Sequence, residues 1–559
     1  MSQLPRSEYP RPDFRRDGWL CLNGEWGFSI GEPTFDRKIT VPYACETRLS
    51  GIEDKGFHKT VWYRRIFVLP EDMRGKQILL HFGAVDYACQ VWVNGQQVCS
   101  HEGGQTGFKA DITHAVSRTG ENTIVLKAED DPQDLEMPRG KQYWEPESKG
   151  MYYSRTTGIW QTVWLEAVDP LHLVRCYITP QLDDRSVQLA YLLSRDARSV
   201  TFDISFRGEP VASLTVAPEG TKASVIVSLE QAWSDDMIWS PENPSLLDVR
   251  ITVKSDRGVT DVVDTYFGMR KVSTENGEFL LNNQPYYQKL VLDQGYWEES
   301  LMTAPTDEAF IRDIQMTKAM GFNGVRKHQK VEDPRYLYHA DRLGLLVWGE
   351  IGAAYVYSKR SAGRTCAEWT EAVLRDYNHP CIVVWTPMNE SWGVRDIKTD
   401  KSQQAHCNAL VAMTKALDPT RPVLDNDGWE HTCGDLLTIH DYTQDGAKLK
   451  RQFEKLEGIL AIILQPRDKT LFADGYGYQG QPILLSEFGG VKYTQEISTP
   501  EAFAAKLAEI IEAIQASPLI RGYCYTQLTD IENEKNGLLT YERAPKIPLE
   551  TIRAINWGK

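Results

Sequence analysis

Several things are scarce in this chain of 559 residues, and each absence removes a class of function. No run approaches the ~20 consecutive apolar residues that cross a bilayer as a helix. The opening MSQLPRSEYPRPDF has no apolar secretory core, so the expectation is a cytoplasmic protein without a membrane. Ten cysteines are scattered singly, without a CxxC or a zinc-like spacing, which predicts reduced and mostly buried thiols. The histidines His328, His379, His431 and His440 do not fall at metal-ligand spacing. Positive charge is in deficit, 62 Lys and Arg against 77 Asp and Glu, a formal net charge of −15 that speaks against nucleic-acid partners. Also missing are a Gly-rich phosphate loop after an early strand, a Ser nucleophile elbow, an internal repeat and a low-complexity run.

What is present is a globular composition, 42% hydrophobic and 25% charged, in a chain too long for one core. Three patterns follow one another. Residues 1–168 read as short strands: Val61–Leu69, Gln77–Phe82, Cys89–Val93 and Asn122–Ala128 are β-branched or aromatic. Val93-Asn94-Gly95-Gln96 is a hairpin signal, because Asn-Gly tolerates the positive φ of a type I′ turn. A jelly-roll sandwich fits that spacing. Residues 169–272 continue with Val200–Phe206, Ala223–Ser228 and Asp248–Lys254, about the size of an immunoglobulin-like sandwich.

From residue 273 to 559 the pattern becomes strand and helix in alternation. Eight apolar strands are expected at Tyr286–Leu292, Phe322–Arg326, Leu345–Glu350, Ile382–Asn389, Pro422–Asn426, Leu437–Tyr442, Pro482–Phe488 and Gly522–Leu528. Amphipathic stretches such as Asp307–Met320 and Pro334–Leu343 lie between them. Together they predict a (β/α)₈ TIM barrel, whose chemistry sits at the C-terminal ends of its strands.

Those ends carry Glu390 after the fourth strand and Glu487 on the seventh, with Arg326 and His328 at the second, Glu350 at the third, and His440, Asp441 and Tyr442 at the sixth. A single Glu at a strand end is most simply an ion pair. Two on one rim, with Asn389 and the aromatics Trp392 and Trp429, match what glycoside cleavage needs. One carboxyl donates a proton to the leaving oxygen and the other attacks the anomeric carbon, ~5–5.5 Å apart in the retaining geometry. The rival of another class is a catalytically inactive barrel that only binds carbohydrate.

In order along the chain stand Leu22-Asn23-Gly24-Glu25-Trp26, Val61-Trp62-Tyr63-Arg64-Arg65, Val91-Trp92-Val93-Asn94-Gly95, Gly158-Ile159-Trp160-Gln161, Phe267-Gly268-Met269-Arg270, Asn389-Glu390 and Ser486-Glu487-Phe488-Gly489. This succession resembles glycoside hydrolase family 2, which holds β-galactosidases, β-glucuronidases and β-mannosidases, in a compact three-domain form. The resemblance implies Glu390 as general acid/base, Glu487 as nucleophile, Asn389 on the sugar 2-hydroxyl, Tyr442 beside the nucleophile, and no organic cofactor. The expected activity is a retaining exo-β-glycosidase, β-galactosidase-like, or a transglycosylase sharing every residue. Self-association as a homodimer is a further expectation.

The departures fall on the sugar pocket. After Arg326 the chain reads Lys327-His328-Gln329-Lys330, where the family commonly has Ser-His-Tyr-Pro, and strand eight ends in Thr526-Gln527 in place of Trp-Asn. Asn533-Glu534-Lys535 is similar to the Asn-x-Lys by which the family's β-glucuronidases hold a uronate carboxylate. That gives the alternative of a β-uronidase with Lys535 as reader; the plainer reading of Lys535 is a surface ion pair in an acidic loop. Finally, Arg139-Gly140-Lys141-Gln142-Tyr143-Trp144-Glu145-Pro146 is too polar for a sandwich core. It either reaches over the barrel mouth, bringing Lys141 and Trp144 to the terminal sugar, or is an ordinary interface loop. Glu350 stands as a rival carboxylate or a ligand for a cation.

Overall fold

The computed structural model describes residues 4–464, 469–492 and 497–558. The first sandwich packs a four-stranded sheet against a six-stranded one, and Trp26, Tyr63, Val91 and Leu126 lie buried between them. The Asn94-Gly95 hairpin forms as expected, with φ of 50° and 82°, joining Ala88–Val93 to Gln96–Glu102. The second sandwich sets three strands (Leu173–Gln181, Ser186–Leu193, Lys222–Ser228) against four (Ser199–Phe206, Glu209–Val216, Leu247–Ser255, Gly258–Phe267). Its strands alternate buried and exposed residues, as Leu247–Ser255 shows, because one face meets the core and the other meets water.

The barrel strands are β1 (Gln288–Asp293), β2 (Gly324–Lys327), β3 (Leu346–Glu350), β4 (Ile382–Thr386), β5 (Leu437–Asp441), β6 (Ile483–Gly489) and β7 (Ile520–Thr526). They pair in parallel in the order β4-β3-β2-β1-β7-β6-β5. Every residue of β4 and β6 is buried, which is why they read as unbroken apolar runs with no alternation. Helices cover the outside. Pro334–Leu343 starts on Asp333, whose side chain accepts from Arg335 N, and ends on Gly344 at φ 72°.

One expected strand is absent as a strand. Pro422–Asn426 closes the barrel only through isolated bridges, Trp385 to Val423 and Asn389 to Asp427. The sheet is therefore a curled seven-strand sheet with a loosely paired wall. The ten cysteines are free thiols, with Cys433 alone exposed. Among the described residues no helix is long and apolar enough to cross a membrane.

Candidate active site

The loosely paired wall places the first carboxylate. β4 ends at Thr386, and the chain turns so that Glu390 and Ser391 both take positive φ, 54° and 55°. Side chains there cost roughly 1–2 kcal/mol each, so the turn must be held from outside. Glu390 N donates to Asp427 O (3.0 Å), Asp427 N to Met388 O (3.0 Å), and Ser391 N to Asn426 Oδ1 (2.9 Å). Ser391 Oγ donates to Glu430 Oε2 at 2.5 Å. The irregular segment 422–430 thus acts as a clamp on the Glu390 turn.

Glu487 sits inside β6 with its carboxylate held on both oxygens. Arg326 Nη1 donates to Oε1 at 3.0 Å and the Tyr442 hydroxyl donates to Oε2. Tyr442 therefore lies beside Glu487, where the resemblance implied. Carboxylate oxygens of Glu390 and Glu487, with a ring nitrogen of His440, all fall within 4.8 Å of one another. No other group of three His, Cys, Asp or Glu side chains comes this close among the described residues.

His440 lies between acids. Its Nδ1 is 2.8 Å from Glu390 Oε1 and its Nε2 is 2.8 Å from Asp427 Oδ2. Burial disfavours the imidazolium, but the charges of Glu487 and Asp427 and the bonds to Asp427 and Glu390 push its pKa up to about 10. Burial would likewise raise Glu390, yet the His440 hydrogen bond and charge, then Lys141 and Arg326, hold it below its ordinary value. The proton of this pair rests on His440, one hydrogen bond from the oxygen that has to deliver it.

A cavity of about 300 Å³ opens over the pair, lined by Lys141, Met151, Leu292, Gln294, His328, Glu390, Tyr442, Glu487, Gly490, Lys492, Thr526, Glu534 and Asn536. The sandwich loop does reach it, since Lys141 and Met151 form part of the wall. Trp144 packs on Tyr152 and Tyr355, which in turn meet Trp392 at the rim. Trp392 Nε1 donates to Glu390 Oε2 at 3.3 Å.

Other expected contacts are corrected. Arg326 is fully buried and does not line the cavity. It binds Glu350 (2.7 Å), Glu487 (3.0 Å), Asn389 (2.6 Å) and Asp427, so it aligns the acids and does not touch sugar. Glu350 has its oxygens on Arg326 Nε and Gln329 N (2.9 Å), a pairing that leaves no open carboxylate for a cation. His440 and Trp429 also lie behind the wall, with the Trp429 ring edge-on to the imidazole at 5.5 Å. Asp441 points away, accepting from Thr443 N (2.9 Å) and Gln452 Nε2 (3.3 Å). Gln527 is fully buried and donates to Asn536 Oδ1 at 2.9 Å, placing Asn536 in the wall. Lys535 is exposed and outside the lining, because the loop turns Glu534 and Asn536 inward instead. Asn389 is likewise buried and outside the lining: its Oδ1 accepts from Arg326, while its Nδ2 has no partner.

Residues missed from the sequence are Asp427, Gln294, Glu534, Asn536 and Lys492. Asp427 had a signal, an acid just past the expected fifth strand. Gln294 and Asn536 had none, since amides in loops are ordinary.

Three family models match the chain. "Glycosyl hydrolases family 2, sugar binding domain" covers residues 32–134, "Glycosyl hydrolases family 2" covers 171–270, and "Glycosyl hydrolases family 2, TIM barrel domain" covers 272–495. The beta-glucuronidase of Rattus norvegicus is 24% identical over 586 residues, 94% of this chain and 85% of that one. A beta-galactosidase of Thermoanaerobacter pseudethanolicus is 24% identical over 397 residues, 69% of this chain but only 52% of that enzyme. The structure of a beta-D-glucuronidase from Dictyoglomus thermophilum superposes with a TM-score of 0.80 at 20% identity, covering 99% of this chain and 98% of that one. The Ruminococcus gnavus β-glucuronidase in complex with D-glucuronic acid gives 0.79 at 17% identity, over 98% and 99%.

Proposed function

Because this chain belongs to glycoside hydrolase family 2, we propose that it is a retaining exo-β-glycosidase whose terminal sugar is a uronic acid, with Glu487 as nucleophile and Glu390 as acid/base. The observation that carries the catalytic assignment is the carboxylate pair, oxygens within 4.8 Å, one oxygen set tied to Arg326 and Tyr442 and the other to His440. One oxygen of each carboxylate within 4.8 Å supports the retaining geometry, whose carboxyls stand ~5–5.5 Å apart, over the wider inverting one.

The roles follow from the partners. Arg326 and Tyr442 hold and aim the Glu487 carboxylate, so its oxygen attacks the anomeric carbon while the glycosidic bond breaks. Glu390 takes the proton held on His440 Nδ1, passes it to the departing oxygen and is left ionised. The covalent ester on Glu487 is then opened by a water that Glu390 deprotonates, and the sugar leaves with its original configuration. The free Nδ2 of Asn389 is a donor awaiting an acceptor, as the sugar 2-hydroxyl would supply.

The sugar is read from the relatives. The three β-glucuronidases above align over nearly the whole chain or fold, while the β-galactosidase matches only about half of its own length. This favours a uronide over the galactoside expected from the sequence. A panel of p-nitrophenyl β-glycosides, with the first-formed anomer followed by NMR, tests the reading. A glucuronide or galacturonide should be the best substrate and the β-anomer the first product; preference for a neutral sugar, or an α-anomer first, contradicts it.

A further inference from the structure

Lys141 brings a positive charge to the cavity. It comes from the first sandwich, yet it lines the cavity over Glu390 and Glu487 and is only 5% exposed. Among the described residues its ammonium has neither an ion pair nor a hydrogen bond. The acids nearby are engaged elsewhere: Glu487 with Arg326 and Tyr442, Glu390 with His440 and Trp392, Glu534 with Tyr153 and with Asn536 at 3.1 Å. The stem is buried while the ammonium, unclaimed by protein, opens on the space where the substrate lies.

The lysine is also held in place. Arg139 N and Gly140 N both donate to Ala353 O at 3.1 Å, the Tyr355 hydroxyl donates to Gly140 O at 2.6 Å, and Tyr153 N donates to Lys141 O at 2.8 Å. Gly140 has φ of 60°, and a Cβ there would lie 2.3 Å from Gln329 O. The backbone is thus pressed onto the barrel rim on both sides of Lys141, and only glycine permits the approach. The other cation in the wall, Lys492, is exposed, and Lys535 lies outside it.

We propose that Lys141 pairs with the carboxylate of the acidic sugar, so that selectivity for uronides is read by the first sandwich and not by Lys535 of the barrel. This rests on the uronide reading above. Nucleophile and acid/base come from one domain and the charge filter from another, so the reaction class and the substrate class are set by separate parts of the chain.

The test uses the full-length chain, with kcat and KM measured on p-nitrophenyl β-D-glucuronide and p-nitrophenyl β-D-galactoside. Lys141→Met should lower the glucuronide-to-galactoside ratio of kcat/KM by about 100-fold, the scale of one buried charge-assisted bond. Lys141→Arg, which keeps the charge, should recover roughly a tenth or more of that ratio. Lys535→Met should leave the ratio within about threefold. If Lys141→Met does not fold, judged by its thermal melt, Lys141→Gln carries the same readout. Equal loss on both glycosides in the Lys141 variants, or collapse of the ratio in Lys535→Met, overturns the assignment while leaving a uronidase. A wild type that cleaves the galactoside and ignores the glucuronide sinks the uronide reading itself.

Discussion

Two of the places where this chain buries charge are the seam between the sandwiches and the barrel mouth. At the seam, Glu166 accepts from Tyr9 (2.7 Å), Arg11 (3.1 Å) and Arg16 (3.2 Å). Arg16 also grips Asp261 with two bonds of 2.9 Å and donates to Leu173 O at 2.5 Å. At the mouth, Arg326 plays the same hub to Glu350, Asp427, Glu487 and Asn389. The ingredients match; the seam's two hubs are satisfied by protein groups, although Arg11 Nε and His81 Nε2 beside them have no hydrogen-bond partner. The mouth leaves Asn389 Nδ2 and Asp427 Oδ1 without partners and Lys141 unpaired. What sets the mouth apart is a lysine without a protein partner in the wall of the cavity over Glu390 and Glu487.

The contrast can be broken by substitution. Glu487→Ala should lower kcat by ~10⁴-fold or more while the protein melts no lower than wild type, since removing one acid relieves crowding around Glu390 and Asp427. Arg326→Met leaves three carboxylates facing one another without their cation, and should cost about 3–5 kcal/mol of stability along with activity. Arg16→Met should cost about 3 kcal/mol by the same physics but leave kcat within about twofold on the glucuronide, because the seam is remote from the reaction. Denaturant titration beside steady-state kinetics separates these two arginines.

His440 sharpens the comparison through pH. Its native pKa, near 10, lies above the ordinary 6.5. Its contribution to stability is therefore complete below about 6.5 and is lost as pH rises through about 10. Thermal melts of the wild type should fall across that interval, and His440→Gln should flatten the slope. The same variant should lose about 30-fold in kcat on poor leaving groups and much less on nitrophenolates, which need little protonation. Smallest of all, Asp441→Asn should change neither kcat nor KM by more than about twofold, since Asp441 serves only its own turn.

Much of this was legible in the sequence because strong local signals and the fold agreed. The Asn94-Gly95 turn, the unbroken apolar runs of β4 and β6, and the glutamates ending them need no tertiary information. The site's binding residues were harder to read for a specific reason. At a strand end the sequence says a residue is near the mouth, but not whether its side chain faces the cavity or the acids beneath it. Arg326, His440, Trp429 and Gln527 all proved to face inward, and Asp441 outward. The fifth strand was misread because Pro422–Asn426 is apolar enough for a strand, yet its backbone meets β4 only at Trp385 before Asn426 and Asp427 turn to clamp Glu390 and Ser391. Lys535 failed because a one-residue shift in a loop exchanges which side chains enter the pocket.

The most direct test of the central claim is covalent trapping. A 2-deoxy-2-fluoro-β-glucuronyl fluoride slows both steps and lets the intermediate accumulate, and peptide mass spectrometry locates it. The label should sit on the peptide holding Glu487, and Glu487→Ala should take up none; a label on Glu390 or Glu350, or inactivation without any label, would contradict the account.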